Sequence, residues 1–285
     1  MSGKVYLNGK FVDRDKAMIP VEDRGFMLGD GVYEVVRLYK GNPFCLDRHL
    51  ERMQNGLDVL KIKFNVKELE EVCYKIIKIN DLEEANLYIQ VTRGAAPRQH
   101  HFPEDIRPTV LVMSYPATPI SQETRQHGVK IVLLPDERWN RCCIKTIQLL
   151  PNVLAKQQAK EAGAFEAVFY RGDIITEGSS SNIFIVKDEK IFTYPLKENI
   201  LGGVTRSVVM DIIEAEGLEV YEREFTRQEL LDADEVFLTG TTTEVMPVVD
   251  VDGKKISTGK PGKITGIIAE KFEKLKNKVA EGKQL

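Results

Sequence analysis

Lys145 is the first residue whose surroundings suggest chemistry. It stands in Cys142-Cys143-Ile144-Lys145-Thr146-Ile147-Gln148-Leu149-Leu150, a largely apolar run. A lysine facing inward from such a run is costly unless it is paired or used. Desolvation favours the neutral amine that attacks carbonyl carbon. The same letters fit a lysine pointing outward from an edge strand. Glu177 is the second candidate, at a strand end before Gly178 and Ser179-Ser180-Ser181. Its carboxylate could pair with a protonated ring nitrogen, or it could be a solvated turn residue. Two further stretches could bind phosphate. In Ile200-Leu201-Gly202-Gly203-Val204-Thr205, two glycines lead into a helical pattern, and a helix N-terminus offers unpaired N–H groups and the positive end of a dipole. In Leu238-Thr239-Gly240-Thr241-Thr242-Thr243, a strand runs into a hydroxyl-rich turn. A plain loop with Thr205 as N-cap and a polar turn are the alternatives. Lastly, residues 91–102 read VTRGAAPRQHHF, with Arg98, His100 and His101 bunched after a strand. They fit an anion site or an ordinary polar turn.

Other chemistries find no support. Gly29-Asp30-Gly31 lacks the third glycine of a dinucleotide loop, and there is no GxxxxGK. Cys45, Cys73, Cys142 and Cys143 show no CxxC spacing, and the four histidines show no ligand spacing near them. Reduced thiols, no metal site and a cytoplasmic location are therefore expected. A net charge of −3 over 285 residues argues against general binding to nucleic acid or anionic lipid. The start lacks the apolar core of a signal peptide, and no apolar run is long enough to span a bilayer.

The elements that must position these residues read as α+β. The alternation in residues 5–12 predicts a hairpin turning at Asn8-Gly9, and a second turns near Lys40-Gly41-Asn42. Amphipathic helices are predicted over 48–60, with Asp47 as N-cap, and over 66–79. Strands follow at 86–94 and 109–115. A Pro-, Thr- and Ser-containing stretch at 116–127 reads as a linker, dividing the chain into domains 1–118 and 119–285. Beyond it, helices are predicted at 152–163, closed by Gly163, at 204–217, closed by Gly217, and at 263–280, among short strands.

Each chemical signal is weak alone, but their order is informative. The chain resembles the fold-type IV class of pyridoxal 5′-phosphate enzymes, the branched-chain and D-amino-acid aminotransferase family. The likeness runs from EDRGFMLGDGVYEVVR to LTGTTTEVMPV, and TEGSSSNIF and ILGGVTR are its most specific parts. It implies a smaller N-terminal α/β domain and a larger, mixed, β-barrel-like cofactor domain. It implies that Lys145 is the Schiff-base lysine and then carries a proton between substrate Cα and the cofactor. Glu177 would face the pyridine nitrogen. Arg52, Gly203, Val204, Thr205, Gly240, Thr241 and Thr242 would hold the phosphate region. Leu201 would pack on the ring, and Ser179, Ser180 and Ser181 would order hydrogen bonds around it.

Position 150 is leucine, where branched-chain enzymes of the family typically have tyrosine. VTRG…R-x-H-x-F matches the D-amino-acid pattern, in which Arg98, His100 and Tyr33 would trap the substrate α-carboxylate. An arginine fork suits a carboxylate. Transamination between D-amino acids, of the D-alanine or D-glutamate type, and 2-oxo acids is implied, in a homodimer with shared active sites. The alternatives are a branched-chain L-aminotransferase, a 4-amino-4-deoxychorismate lyase and a non-catalytic pyridoxal phosphate binder. His101 is read as a surface residue. Trp139 resembles a family position near the site and could equally be core.

Overall fold

The computed structural model describes residues 3–283, and the chain forms two compact units. One comprises Met1–Ala117, Ile144–Gln148 and Lys276–Leu285; the other comprises Thr118–Cys143 and Leu149–Leu275.

The first unit is built on a six-stranded antiparallel sheet. Its order is Lys10–Asp13, Lys4–Leu7, Thr109–Pro116, Ala85–Thr92, Gly31–Tyr39 and Asn42–Pro43. Asn8 and Gly9 both take positive φ, 49° and 89°, as a two-residue hairpin turn twisted with its strands requires. Alternation along Gly31–Tyr39 turns Val32, Glu34, Val36 and Leu38 to one face and leaves Tyr33, Val35 and Arg37 half-buried on the other. The buried face is covered by helices Leu46–Val59 and Glu68–Ile79, which contribute Leu50, Met53, Leu57, Leu69 and Ile76 to the core. Asp47 does not cap the first of these helices. The helix begins at Leu46 after Cys45, which has φ 51° and makes no side-chain cap. Asp47 lies in the first turn, where its charge opposes the positive end of the dipole.

The second unit holds a mixed, curled sheet. Its order is Val220–Glu222, Lys190–Thr193, Asn182–Lys187, Glu235–Gly240, Glu244–Val251, Val129–Pro135, Glu166–Arg171 and Ile174–Gly178, with Lys254–Lys255 added beside Glu244–Val251. Ile131, Val168, Ile183, Ile185, Leu238 and Met246 fill its core. Helix Leu150–Glu161 seats Ala155 and Ala159 on Ala167 and Phe169. The stretch expected to be a linker contains a short helix, Gln122–His127, because the Ser121 hydroxyl accepts from the Thr124 N–H and supplies its N-cap. Helix Val204–Ala215 starts after Gly203, so Gly203 rather than Thr205 is its N-cap.

Lys145 does not lie in a strand. Its stretch follows Gly31–Tyr39: the Tyr33 N–H donates to the Lys145 carbonyl (3.0 Å) and the Ile147 N–H to the Gly31 carbonyl (3.2 Å). The Thr146 N–H, however, turns back to the Ile144 carbonyl at 2.8 Å. Only one isolated bridge, Val32 with Thr146, forms.

Candidate active site

In the first unit the candidate groups surround strand Gly31–Tyr39. Lys145 is half-buried, with Nζ 4.4 Å from the centroid of the Tyr33 ring. The Tyr33 ring stacks on Tyr88 at 5.7 Å. One residue along, on the opposite face of the strand, Glu34 is fully buried. It receives Arg52 as a fork, Nε on Oε1 and Nη2 on Oε2, both at 2.7 Å. His49 Nδ1 lies 2.7 Å from Oε2. His49 and Arg52 are three positions apart on one helix and so share a face. Burial pushes the Glu34 carboxyl up, but Arg52 and then His49 outweigh it and hold it at about 2. Burial also pushes the His49 imidazole below its ordinary value, against the pull of Glu34. Arg52, expected at the phosphate, thus has its fork on a buried carboxylate.

The loop after strand Ala85–Thr92 carries Arg98, His100 and His101. All three side chains are exposed, and none makes a hydrogen bond or ion pair among the described residues.

In the second unit Glu177 ends strand Ile174–Gly178 and is buried (4% exposed). Its Oε1 accepts from Arg138 Nη1 at 2.5 Å. Its Oε2 accepts from Asn182 Nδ2 (3.1 Å) and from the Leu201 backbone N–H (3.0 Å). Arg138 is itself held by Asp136, through Nε and Nη2 at 2.8 and 2.9 Å. Burial pushes the Glu177 carboxyl up to about 6, with Arg138 pulling the other way. Leu201 therefore contributes its backbone to Glu177. The hydroxyls of Ser179, Ser180 and Ser181 all donate to the fully buried Glu166, at 2.5, 2.7 and 3.3 Å.

Gly203 has no room for a side chain, since a Cβ there would meet Asn182 Oδ1 at 2.2 Å. The helix it starts has no side-chain cap on its first N–H groups. Val204 and Thr205 are buried in its first turn, Gly240 and Thr241 are half-buried, and Thr242 is exposed. Thr239, on the strand paired with Asn182, has a buried hydroxyl with no partner among the described residues. Trp139 is 39% exposed and is not core.

Arg138, Asn182, Glu166, Glu34 and His49 were not singled out from sequence. Asn182 adjoins the serine run and carried the strongest available signal. The others acquire their partners only through folding.

The second unit thus holds a buried acid backed by an arginine and a crowded glycine at a helix N-terminus, and the first unit holds an amine on a tyrosine face. The Amino-transferase class IV family matches residues 31–251. The chain is 42% identical to the D-alanine aminotransferase of Bacillus licheniformis, over 92% of this chain and 93% of that one. Among solved structures, the branched-chain amino acid aminotransferase of Escherichia coli superposes with TM-score 0.90 at 26% identity, covering 96% of this chain and 95% of the other. A second branched-chain amino acid aminotransferase, solved with pyridoxamine 5′-phosphate, superposes with TM-score 0.89 at 28% identity, covering 100% and 96%. The chain belongs to the class IV aminotransferases and has their fold-type IV, two-domain α+β architecture.

Proposed function

We propose that this chain is a pyridoxal 5′-phosphate-dependent D-amino-acid transaminase. It exchanges the amino group of a D-alanine- or D-glutamate-type substrate for the oxo group of a 2-oxo acid. One observation carries the reading. The chain, 42% identical to a D-alanine aminotransferase, presents Arg98 and His100 exposed and without partners among its own described residues.

The donor set fits the cofactor. Its ring nitrogen suits Glu177, and its phosphate suits the first turn at Gly203, Val204 and Thr205, with Thr241 and Arg52. The unsatisfied Thr239 hydroxyl and the missing side chain at Gly203 support that placement. Bound pyridoxal phosphate supplies an aldehyde carbon that takes up an amino group and a ring that takes up an electron pair. Lys145 Nζ then accepts the substrate Cα proton and returns it. Glu177 keeps a proton on the ring nitrogen by staying ionised, which Arg138 favours against burial. Arg98, His100 and Tyr33 hold the α-carboxylate and so choose which enantiomer presents its Cα–H to Lys145. Asp136 fixes Arg138, and Glu166 fixes the serine turn between Glu177 and Asn182.

The active form is a homodimer, in which the loop bearing Arg98 and His100 serves the partner's substrate. Met18, Val21 and Phe26 support this, being 80%, 71% and 80% exposed in the single chain. A cytoplasmic location agrees with four free cysteines, and no described helix is long and apolar enough to cross a membrane. The residues before about 118 make up most of the N-terminal domain, joined by the Lys145 stretch 144–148 and the C-terminal residues from 276, and the remaining residues make up the cofactor domain.

Mixing holoenzyme with D-alanine or with L-leucine, and following the visible absorbance of bound cofactor, tests the reading. Loss of the band with D-alanine alone is expected. Loss with L-leucine alone overturns it in favour of a branched-chain enzyme.

A further inference from the structure

Arg24 is a buried arginine (2% exposed) that the mechanism does not use. Its Nε donates to Asp30 Oδ2 at 2.8 Å, and its Nη1 donates to the Gln99 carbonyl at 2.6 Å. Gln99 stands between Arg98 and His100. Among the described residues this is the only hydrogen bond made by residues 97–102. The base of the same loop is fixed nearby. The Arg24 N–H donates to the Gly94 carbonyl (2.9 Å), and the Ala96 N–H donates to the Glu22 carbonyl (3.2 Å). Gly94 has φ +110°, and a Cβ there would lie 2.0 Å from the Arg107 carbonyl, so only glycine fits.

Asp30 is shared. Arg93 grips it through Nε (2.7 Å) and Nη2 (3.0 Å) and also donates to the Leu60 and Lys61 carbonyls. The Phe102 ring lies on the Arg93 guanidinium, 3.6 Å from its carbon. Residues 94–102 are thus held at the base, at Gln99 and at Phe102, and two of these anchors meet at Asp30. The exposed side chains of Arg98 and His100 project from a backbone fixed between them.

We propose that Arg24, set by Asp30, is a positioning residue for enantiomer choice: it fixes the Gln99 carbonyl and so aims Arg98 and His100 at the substrate carboxylate. This rests on the carboxylate role of Arg98 and His100 given above. Arginine suits the task because its planar fork reaches a carboxylate and a carbonyl at once, whereas the lysine ammonium is a point charge on a flexible stem. A misplacement of about 1 Å at such a site costs up to about 100-fold.

The test compares wild-type holoenzyme with Arg24→Gln, Arg98→Ala and the double variant. Arg24→Gln is expected to raise the D-alanine KM about tenfold and to narrow the preference for D- over L-alanine. The cofactor spectrum stays unchanged, and kcat stays within about threefold. The double variant should be no worse than Arg98→Ala alone, because both changes act through one loop. Multiplying effects, or an unchanged KM beside a lowered melting temperature, overturn the proposal. Hydrogen exchange supplies a readout independent of substrate. Amides 95–101 should exchange faster in Arg24→Gln, and unchanged exchange refutes the anchoring. If Arg98→Ala leaves D-alanine kinetics intact while exchange rises, the carboxylate assignment fails and enantiomer choice by Arg24 goes with it, but the anchoring stands. Should Arg24→Gln not fold, Phe102→Ala, at a half-exposed site, removes the other anchor. It is expected to raise KM less, again without adding to Arg98→Ala, and additivity there overturns the proposal.

Discussion

Arg138 donates to the Glu177 carboxylate at 2.5 Å, and both side chains are more than nine-tenths buried. Burial alone would favour a neutral acid at Glu177, while the guanidinium keeps the charged form within reach of neutral pH. The carboxyl sits at about 6 against an ordinary 4.5. Transamination should therefore fall as pH drops through about 6, where Glu177 takes up a proton. In Arg138→Met the acid limb should move upward by about one unit or more. A pH profile of kcat/KM for D-alanine checks both, and an unmoved limb would refute the assignment.

The same shift bears on stability with the opposite sign. A folded-state value above the ordinary one means that the folded chain binds the proton more tightly. The stabilisation is complete below pH about 4.5 and is lost as pH rises through about 6, a change of about 2 kcal/mol. Glu177→Gln cannot titrate. Urea unfolding of the cofactor-free proteins should show the variant gaining on wild type by about that amount between pH 4 and 7.

Glu34 behaves in the reverse way, because Arg52 and His49 hold it at about 2. Its contribution is present above pH 4.5 and disappears as pH falls toward 2. Glu34→Ala takes the buried carboxylate away from the half-buried Arg52 and the buried His49, at a cost of about 3–5 kcal/mol in chemical unfolding. It should also loosen cofactor retention on dialysis, because the orientation of Arg52 is set by this pair.

Glu166 gathers three serine hydroxyls on two oxygens. An amide has only one oxygen to offer, so Glu166→Gln should strand at least one buried hydroxyl and cost about 1–3 kcal/mol. Since the turn links Glu177 to Asn182, kcat should fall with the melting temperature. An unchanged kcat would limit Glu166 to a structural role.

Gly203→Ala drives a Cβ against Asn182, whose amide is already committed to Glu177 and to the Leu201 carbonyl. Cofactor affinity should drop about tenfold or more with the helix content unchanged, read by equilibrium dialysis and circular dichroism.

Much of the architecture was legible because hydrophobic periodicity is local. The helix at 263–280 and the Asn8-Gly9 hairpin formed where their patterns lie. Two local readings failed for identifiable reasons. Asp47 is a good cap residue, but the chain enters the helix one residue earlier through a left-handed Cys45. Ile144, Ile147 and Leu149 alternate too poorly to tell a strand from an extended loop, and the Thr146 turn decides the matter. Glu177 and Lys145 stood out through their immediate neighbours. The groups that tune the site did not, because Arg138 lies 39 residues from Glu177 and Glu34 lies 18 from Arg52. No sequence window holds both members of either pair.

The Lys145 stretch has a consequence for how this chain can be divided. The backbone passes between the two units at 117/118, 143/144, 148/149 and 275/276. No single scission or gene fusion point can therefore yield either unit intact. A fragment ending at residue 118 lacks the amine. A fragment starting there carries the amine without the strand whose Tyr33 N–H and Gly31 carbonyl hold its backbone. Recombination among relatives that exchanges one half at the linker would transplant the lysine away from the strand it evolved with.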